Sequence, residues 1–138
     1  MTGGTYTLLF AVPREIEVSV GALGTHLLPA GGYAYTGSAL GSGGFSRIDR
    51  HRRVASGDHD VRHWHVDYLG GHDAVELVGD RRLDDRDAEC EVASRLADSP
   101  IPGFGASDCD CPAHLARYES VEELRRSVEA VHDRVRAE

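Results

Sequence analysis

Between Gly31 and Arg53 the chain passes from a strand to a basic helix through a cluster of glycines, and no other stretch limits the fold as tightly. Tyr33, Tyr35 and Thr36 favour a pleated strand, and Gly41, Gly43 and Gly44 mark a turn. Phe45, Ile48 and Ala55 then carry the spacing of a helix that Gly57 ends. Arg47 and His51, four apart, share a face of that helix, while Tyr35 stands at the strand's exit, two residues before Gly37. The handover therefore gathers a phenol, a guanidinium and an imidazole.

The flanking segments supply partners for this strand. Residues 5–12 are β-branched, aromatic and apolar up to Pro13, which predicts a central strand. Ile16, Val18 and Val20 alternate with Glu15, Glu17 and Ser19, the period of a strand with one wet face, and residues 25–28 return as its hairpin partner. Further on, 74–78 reads as a short strand closed by Gly79 and Asp80. Asp84 or Asp85 is placed to cap a helix over about 86–97, with Val92, Ala93 and Leu96 as its apolar stripe. Residues 104–111 lack any period and read as an ordered loop. Ser120 and Glu123 form a capping box that opens a last helix over about 120–136, with Val121, Leu124, Val128, Val131 and Val135 turned inward. The expectation is one α+β domain over 1–138, with a short, mainly antiparallel sheet flanked by helices and an extra hairpin between the first two core strands.

Gly4-Thr5-Tyr6 on the first strand and Tyr35-Thr36-Gly37 on the later one resemble the two namesake triplets of the GIY-YIG nuclease superfamily. Thr stands for Ile in both, which keeps the β-branched shape a strand prefers. His63-Trp64-His65-Val66-Asp67-Tyr68-Leu69, Glu89-Cys90-Glu91 and the segment from Gly103 to Cys111 look like the uncharacterised, mainly archaeal branch of that superfamily, which shares the longer gap between triplets. The resemblance covers residues 4 to about 115. It implies a metal-dependent endonuclease that hydrolyses DNA phosphodiesters in repair or processing. On this resemblance Glu89 holds a single Mg2+ or Mn2+ ion, Arg47 contacts the scissile phosphate, and Tyr6, Tyr35 and His51 position or deprotonate the water. Ser38, Arg50, Arg52 and Arg53 fall on the nucleic-acid side. Which of Tyr6, Tyr35 and His51 is the base stays open, because an ordinary phenol is a feeble base at neutral pH and needs Arg47 or the metal to lower its pKa.

Charge bears on that reading. Every one of the fifteen basic residues is Arg, against 23 acids, for a formal charge of −8. A lysine-free acidic surface suits a salt-rich, halophilic cytoplasm, and an acidic protein is ordinarily a poor phosphate binder. The balance is uneven, however: residues 1–57 hold five Arg against Glu15, Glu17 and Asp49, so the basic surplus falls where the triplets lie. No apolar run approaches a membrane span and no signal segment follows Met1, so a cytoplasmic location is expected.

Two other chemistries compete with the nuclease. One is a nucleic-acid-binding module on the same fold that does not cleave. The other is a zinc-dependent hydrolase: if 63–68 is extended, His63, His65 and Asp67 share one face as a metal triad, whereas a helical turn pairs His63 with Asp67 instead. Within Glu89-Cys90-Glu91, Glu89 continues the stripe of Val92, Ala93 and Leu96 and is expected to face inward, while Glu91, four before Arg95, is expected to form a solvent-facing ion pair. The odd number of cysteines argues against a disulfide framework and for free thiols or a metal. Cys109 and Cys111, one residue apart, with His114 and Cys90, lack the spacing of a zinc knuckle, so no zinc site is expected among these four.

Overall fold

A computed structural model describes residues 3–20, 23–39, 44–56, 65–96 and 114–138 of the chain. Its centre is β1 (Gly4–Val12), the apolar run read as a central strand. The second triplet's strand, β4 (Gly31–Ser38), lies antiparallel beside it, with Tyr6 opposite Gly37, Thr7 opposite Thr36 and Leu8 opposite Tyr35. The two triplets thus pair with each other across one ladder. On the other side of β1 runs β5 (Glu76–Asp84), and outside β4 runs β6 (Leu115–Tyr118), giving the antiparallel order β5-β1-β4-β6. The hairpin of β2 (Ile16–Ser19) and β3 (Thr25–Leu28) forms a separate two-stranded sheet. Ile16, Val18 and Leu28 are buried in it, while Leu27 on its other face stays exposed.

Strand alternation divides the core into two faces. Tyr6, Leu8, Phe10, Tyr33 and Tyr35 project to one face, where they pack with Ile48 of α1 (Ser46–Ser56), Leu69 of α2 (His65–Gly70) and the hairpin. Leu9, Ala34, Ala116 and Tyr118 project to the other, under Leu124 and Val128 of α4 (Val121–Ala137). A third cluster joins Leu83, Ala88 and Val135 to Val92 of α3 (Glu89–Arg95). Ser120 caps α4 as its motif requires, its side chain accepting from the Glu123 N–H at 3.1 Å. None of the described helices is long and apolar enough to cross a membrane.

Several segments differ from expectation. The strand foreseen at 74–78 begins at Glu76 and continues through Gly79 to Asp84, because β1 offers ladder partners along its whole length; the register shifts once, at Leu9/Phe10. Asp84 is therefore extended, paired with Gly4, and Asp85 turns with φ 57°, so neither caps a helix. The helix starts later, with Ala88 at its N-cap, and the Ala88 N–H donates to Thr5 Oγ1 at 2.8 Å. Residues 65–70 are helical, the second of the two conformations left open for this stretch, so the extended arrangement of His65 and Asp67 is not adopted. The extended metal triad thereby loses its basis, and His63 lies outside the described residues, as does the loop at 104–111. Strand β6 had no counterpart in the sequence reading: four residues with one Arg carry too little periodicity.

Candidate functional site

The paired triplets place Tyr6 over a residue with no side chain. A Cβ at Gly37 would stand 2.6 Å from the Tyr6 hydroxyl oxygen and 2.7 Å from Cζ, so glycine is what lets the ring lie across the strand. The Tyr6 oxygen is 2.9 Å from His51 Nε2, reached from the middle of α1. Tyr35 completes the group, its ring centroid 6.4 Å from that of Tyr6 and 6.4 Å from that of His51. Arg47, one turn before His51, donates from Nη1 to the Ser38 carbonyl and also hydrogen-bonds the Tyr6 side chain. A guanidinium only donates, so the phenol oxygen accepts from Arg47, and the same oxygen shares a hydrogen bond with His51 Nε2 whose direction follows the imidazole tautomer.

Burial dominates the electrostatics. Tyr6 is 1% exposed, and desolvation pushes its pKa well above the ordinary phenol value, with the neighbouring Tyr35 and Glu89 adding to the rise and Arg47 opposing it. The expectation that Arg47 lowers the Tyr6 pKa is met in sign and outweighed in sum. Tyr6 is therefore held as a neutral phenol. His51 is 4% exposed, so the phenol–imidazole pair forms the buried floor of the site. Arg47 and Glu89 reach the surface above it.

Glu89 enters at the first turn of α3, with its side chain 25% exposed. Thr5 fixes that turn: its hydroxyl donates to the Arg86 carbonyl at 2.8 Å while accepting from the Ala88 N–H. The Thr in place of Ile in the first triplet thus ties the metal-candidate helix to β1. Val92 on the same helix is buried, and Glu91 on the opposite side pairs with Arg95 at 3.0 Å, as the helical spacing indicates. Beside Glu89 the structure brings Cys90 and His114, two of the four residues among which no zinc site was expected. One ligand atom each from Glu89, Cys90 and His114 lie within 4.8 Å of one another. Cys90 takes part in a disulfide, contrary to the expectation of free thiols; three cysteines leave room for one bridge and one thiol, so an odd count does not exclude pairing. Cys109 and Cys111 lie outside the described residues.

The basic residues of α1 are less available than their number implies. Arg52 pairs with Asp80 of β5, which Arg82 also grips at 2.9 Å while stacking its guanidinium 5.2 Å over the Phe45 ring. Arg53 is exposed, Arg50 is partly so, and Ser38 sits at the end of β4. Nothing in the local sequence signals the Asp80 clamp, because it depends on β5 extending past Gly79.

Five residues expected to act together, Tyr6, Tyr35, Arg47, His51 and Glu89, do converge on one end of the β1–β4 ladder. No curated protein and no solved structure matches the chain. A family match spans residues 5–137, from the first triplet to the end of α4, and on it the chain belongs to the family described as a domain of unknown function, DUF123.

Proposed function

We propose that the protein is a metal-dependent endonuclease of the GIY-YIG type acting on DNA. The observation that carries this reading is the convergence of a guanidinium, a phenol–imidazole pair and a carboxylate around the glycine of the second triplet. Phosphodiester hydrolysis needs charge absorbed on the phosphoryl oxygens and a proton taken from the attacking water. Arg47, at the mouth, donates to the phosphate. The water's proton passes to the Tyr6 oxygen as the Tyr6 proton passes to His51 Nε2, 2.9 Å away. Tyr35 holds the imidazole in place through its ring contact. One partly exposed carboxylate with room for water is what a magnesium ion asks of a protein, so Glu89 fits as the ligand of Mg2+ or Mn2+. When bound, such an ion supplies positive charge to the phosphate and the leaving oxygen.

The test is cleavage of duplex, nicked and branched DNA with and without EDTA. Arg47→Ala and Glu89→Gln are expected to lose at least about a hundredfold in cleavage while staying folded, and Glu91→Gln, on the solvent side, to cleave normally. Wild-type rates from both Arg47→Ala and Glu89→Gln sink the assignment. One observation favours a second reading, a non-cleaving DNA-binding module: Tyr6 and His51 are almost wholly covered. DNA bound tightly, with no cleavage in any divalent ion or salt, selects it.

A further inference from the structure

We infer that Glu89, Cys90 and His114 form a site for a zinc-class divalent ion that opens when the Cys90 disulfide is reduced. This goes beyond the nuclease reading and does not rest on it, although Glu89 belongs to both. The three side chains come from two elements, the first turn of α3 and the residue that precedes β6. His114 is anchored there by its backbone, since its carbonyl accepts from the Thr36 N–H of β4 at 3.0 Å. His114 is 2% exposed, and among the described residues Nδ1 has no hydrogen-bond partner although it lies 3.6 Å from Glu89 Oε1. Nε2 lies 3.8 Å from Cys90 Sγ. An imidazole buried with an unused nitrogen between a carboxylate and a sulfur is costly unless something binds there.

The geometry suits zinc. Bonds of about 2.0–2.1 Å to nitrogen, 2.0–2.2 Å to oxygen and 2.3 Å to sulfur in a tetrahedral shell put neighbouring donors roughly 3.3–3.8 Å apart. An imidazole gives one nitrogen to an ion: Nδ1 stands 3.6 Å from Glu89 Oε1, inside that range, and with one donor taken from each residue the set of three closes within 4.8 Å. A mixed oxygen, nitrogen and thiolate set selects zinc, cobalt or a similar borderline ion and not magnesium, which takes oxygen alone.

In the disulfide the Cys90 sulfur has no thiolate to offer. Reduction by a dithiol breaks the S–S bond: two electrons move to the two protein sulfurs, two protons from the reductant complete their thiols, and the reductant leaves as a cyclic disulfide. The ion then displaces the Cys90 thiol proton. Oxidation by a disulfide reverses both steps and expels the ion.

The experiment is Co2+ and Zn2+ binding to the intact chain, oxidised or reduced with a phosphine that is removed before metal is added. Reduced protein is expected to take up about one ion per chain and to show the near-ultraviolet thiolate-to-cobalt charge-transfer band; oxidised protein shows neither. Cys90→Ser abolishes the band, and His114→Gln weakens binding by at least about tenfold. Because His114 is buried, the folding of His114→Gln is checked by thermal melting, and if it unfolds, Cys90→Ser alone decides. Equal binding in both redox states, no binding in the reduced state, or a band that survives Cys90→Ser overturns the inference. None of these readouts uses DNA cleavage, so failure of the nuclease reading leaves them interpretable.

Discussion

Two threonines and a histidine organise the face of the sheet opposite the tyrosines. Thr7 and Thr36, paired across β1 and β4, bring their hydroxyls to 3.1 Å, and Thr7 lies 2.8 Å from His132 Nε2 of α4. Burial holds the His132 pKa down at about 4, with Arg136 and Arg81 pushing the same way and Asp133 opposing. Below about pH 6.5 the unfolded chain binds a proton that the folded one refuses, so stability falls as pH drops from there toward 4 and is fully present above it. A shift of this size is linked to at most about 3 kcal/mol. Melting temperatures are thus expected to fall between pH 7 and pH 4.5, and His132→Gln to flatten that slope; a slope unchanged in the variant refutes the assignment. His114, also lowered by burial, leaves a remnant in the same direction. The amphipathic pattern of α4 concealed His132, because a histidine four residues after Val128 reads as polar until its partner on the sheet is known. Arg47, His51 and Tyr35 were readable because helix spacing put the first two on one face and the strand's exit put the third beside them, whereas Tyr6 joined them only through the resemblance of its triplet. That Glu89 joins Cys90 and His114 was not readable, since 25 residues separate Glu89 from His114 in the chain and a short strand brings them together.

Among the elements, α4 sits close against β4. A Cβ on Gly32 would stand 2.9 Å from Leu124 Cβ and 2.9 Å from the Ser120 carbonyl oxygen, backbone at the helix start that cannot swing aside. Gly32→Ala is expected to cost about 1–3 kcal/mol by lifting that end of α4 off β4, measured by urea unfolding; an unchanged midpoint argues against the close approach. Long periodic elements were legible: β1, the hairpin, β4, α1 and α4 fall within a residue or two of their patterns. Misplacements cluster where a ladder overrides local signals. β5 runs through a glycine and an aspartate that ordinarily end strands, held by β1 along its length, and the start of α3 moves inward as a result. For α2 the alternating histidines and aromatics left a pleat and a helical turn both open, because so short a run fits either, and the chain takes the helix.

At the scale of the molecule, charge sets the conditions under which the fold is strongest. With a net −8 and no lysine, self-repulsion opposes compaction, and salt relieves it. Raising KCl from about 0.1 M to 1 M shortens the screening length from about 10 to 3 Å, so the melting temperature is expected to rise. A flat or falling melting temperature removes the halophilic reading. The sheet order has a consequence of another kind, in time. Leu9 and Ala34 are covered by Leu124 and Val128, more than a hundred residues later than Leu9. At roughly 5–20 residues per second of synthesis, one greasy face of the nascent sheet waits on the order of 6–23 s for its cover. During that interval the growing chain competes with its neighbours on the same message for that surface, so yield in the cell should depend on translation speed and holdase capacity more than on the stability of the finished fold.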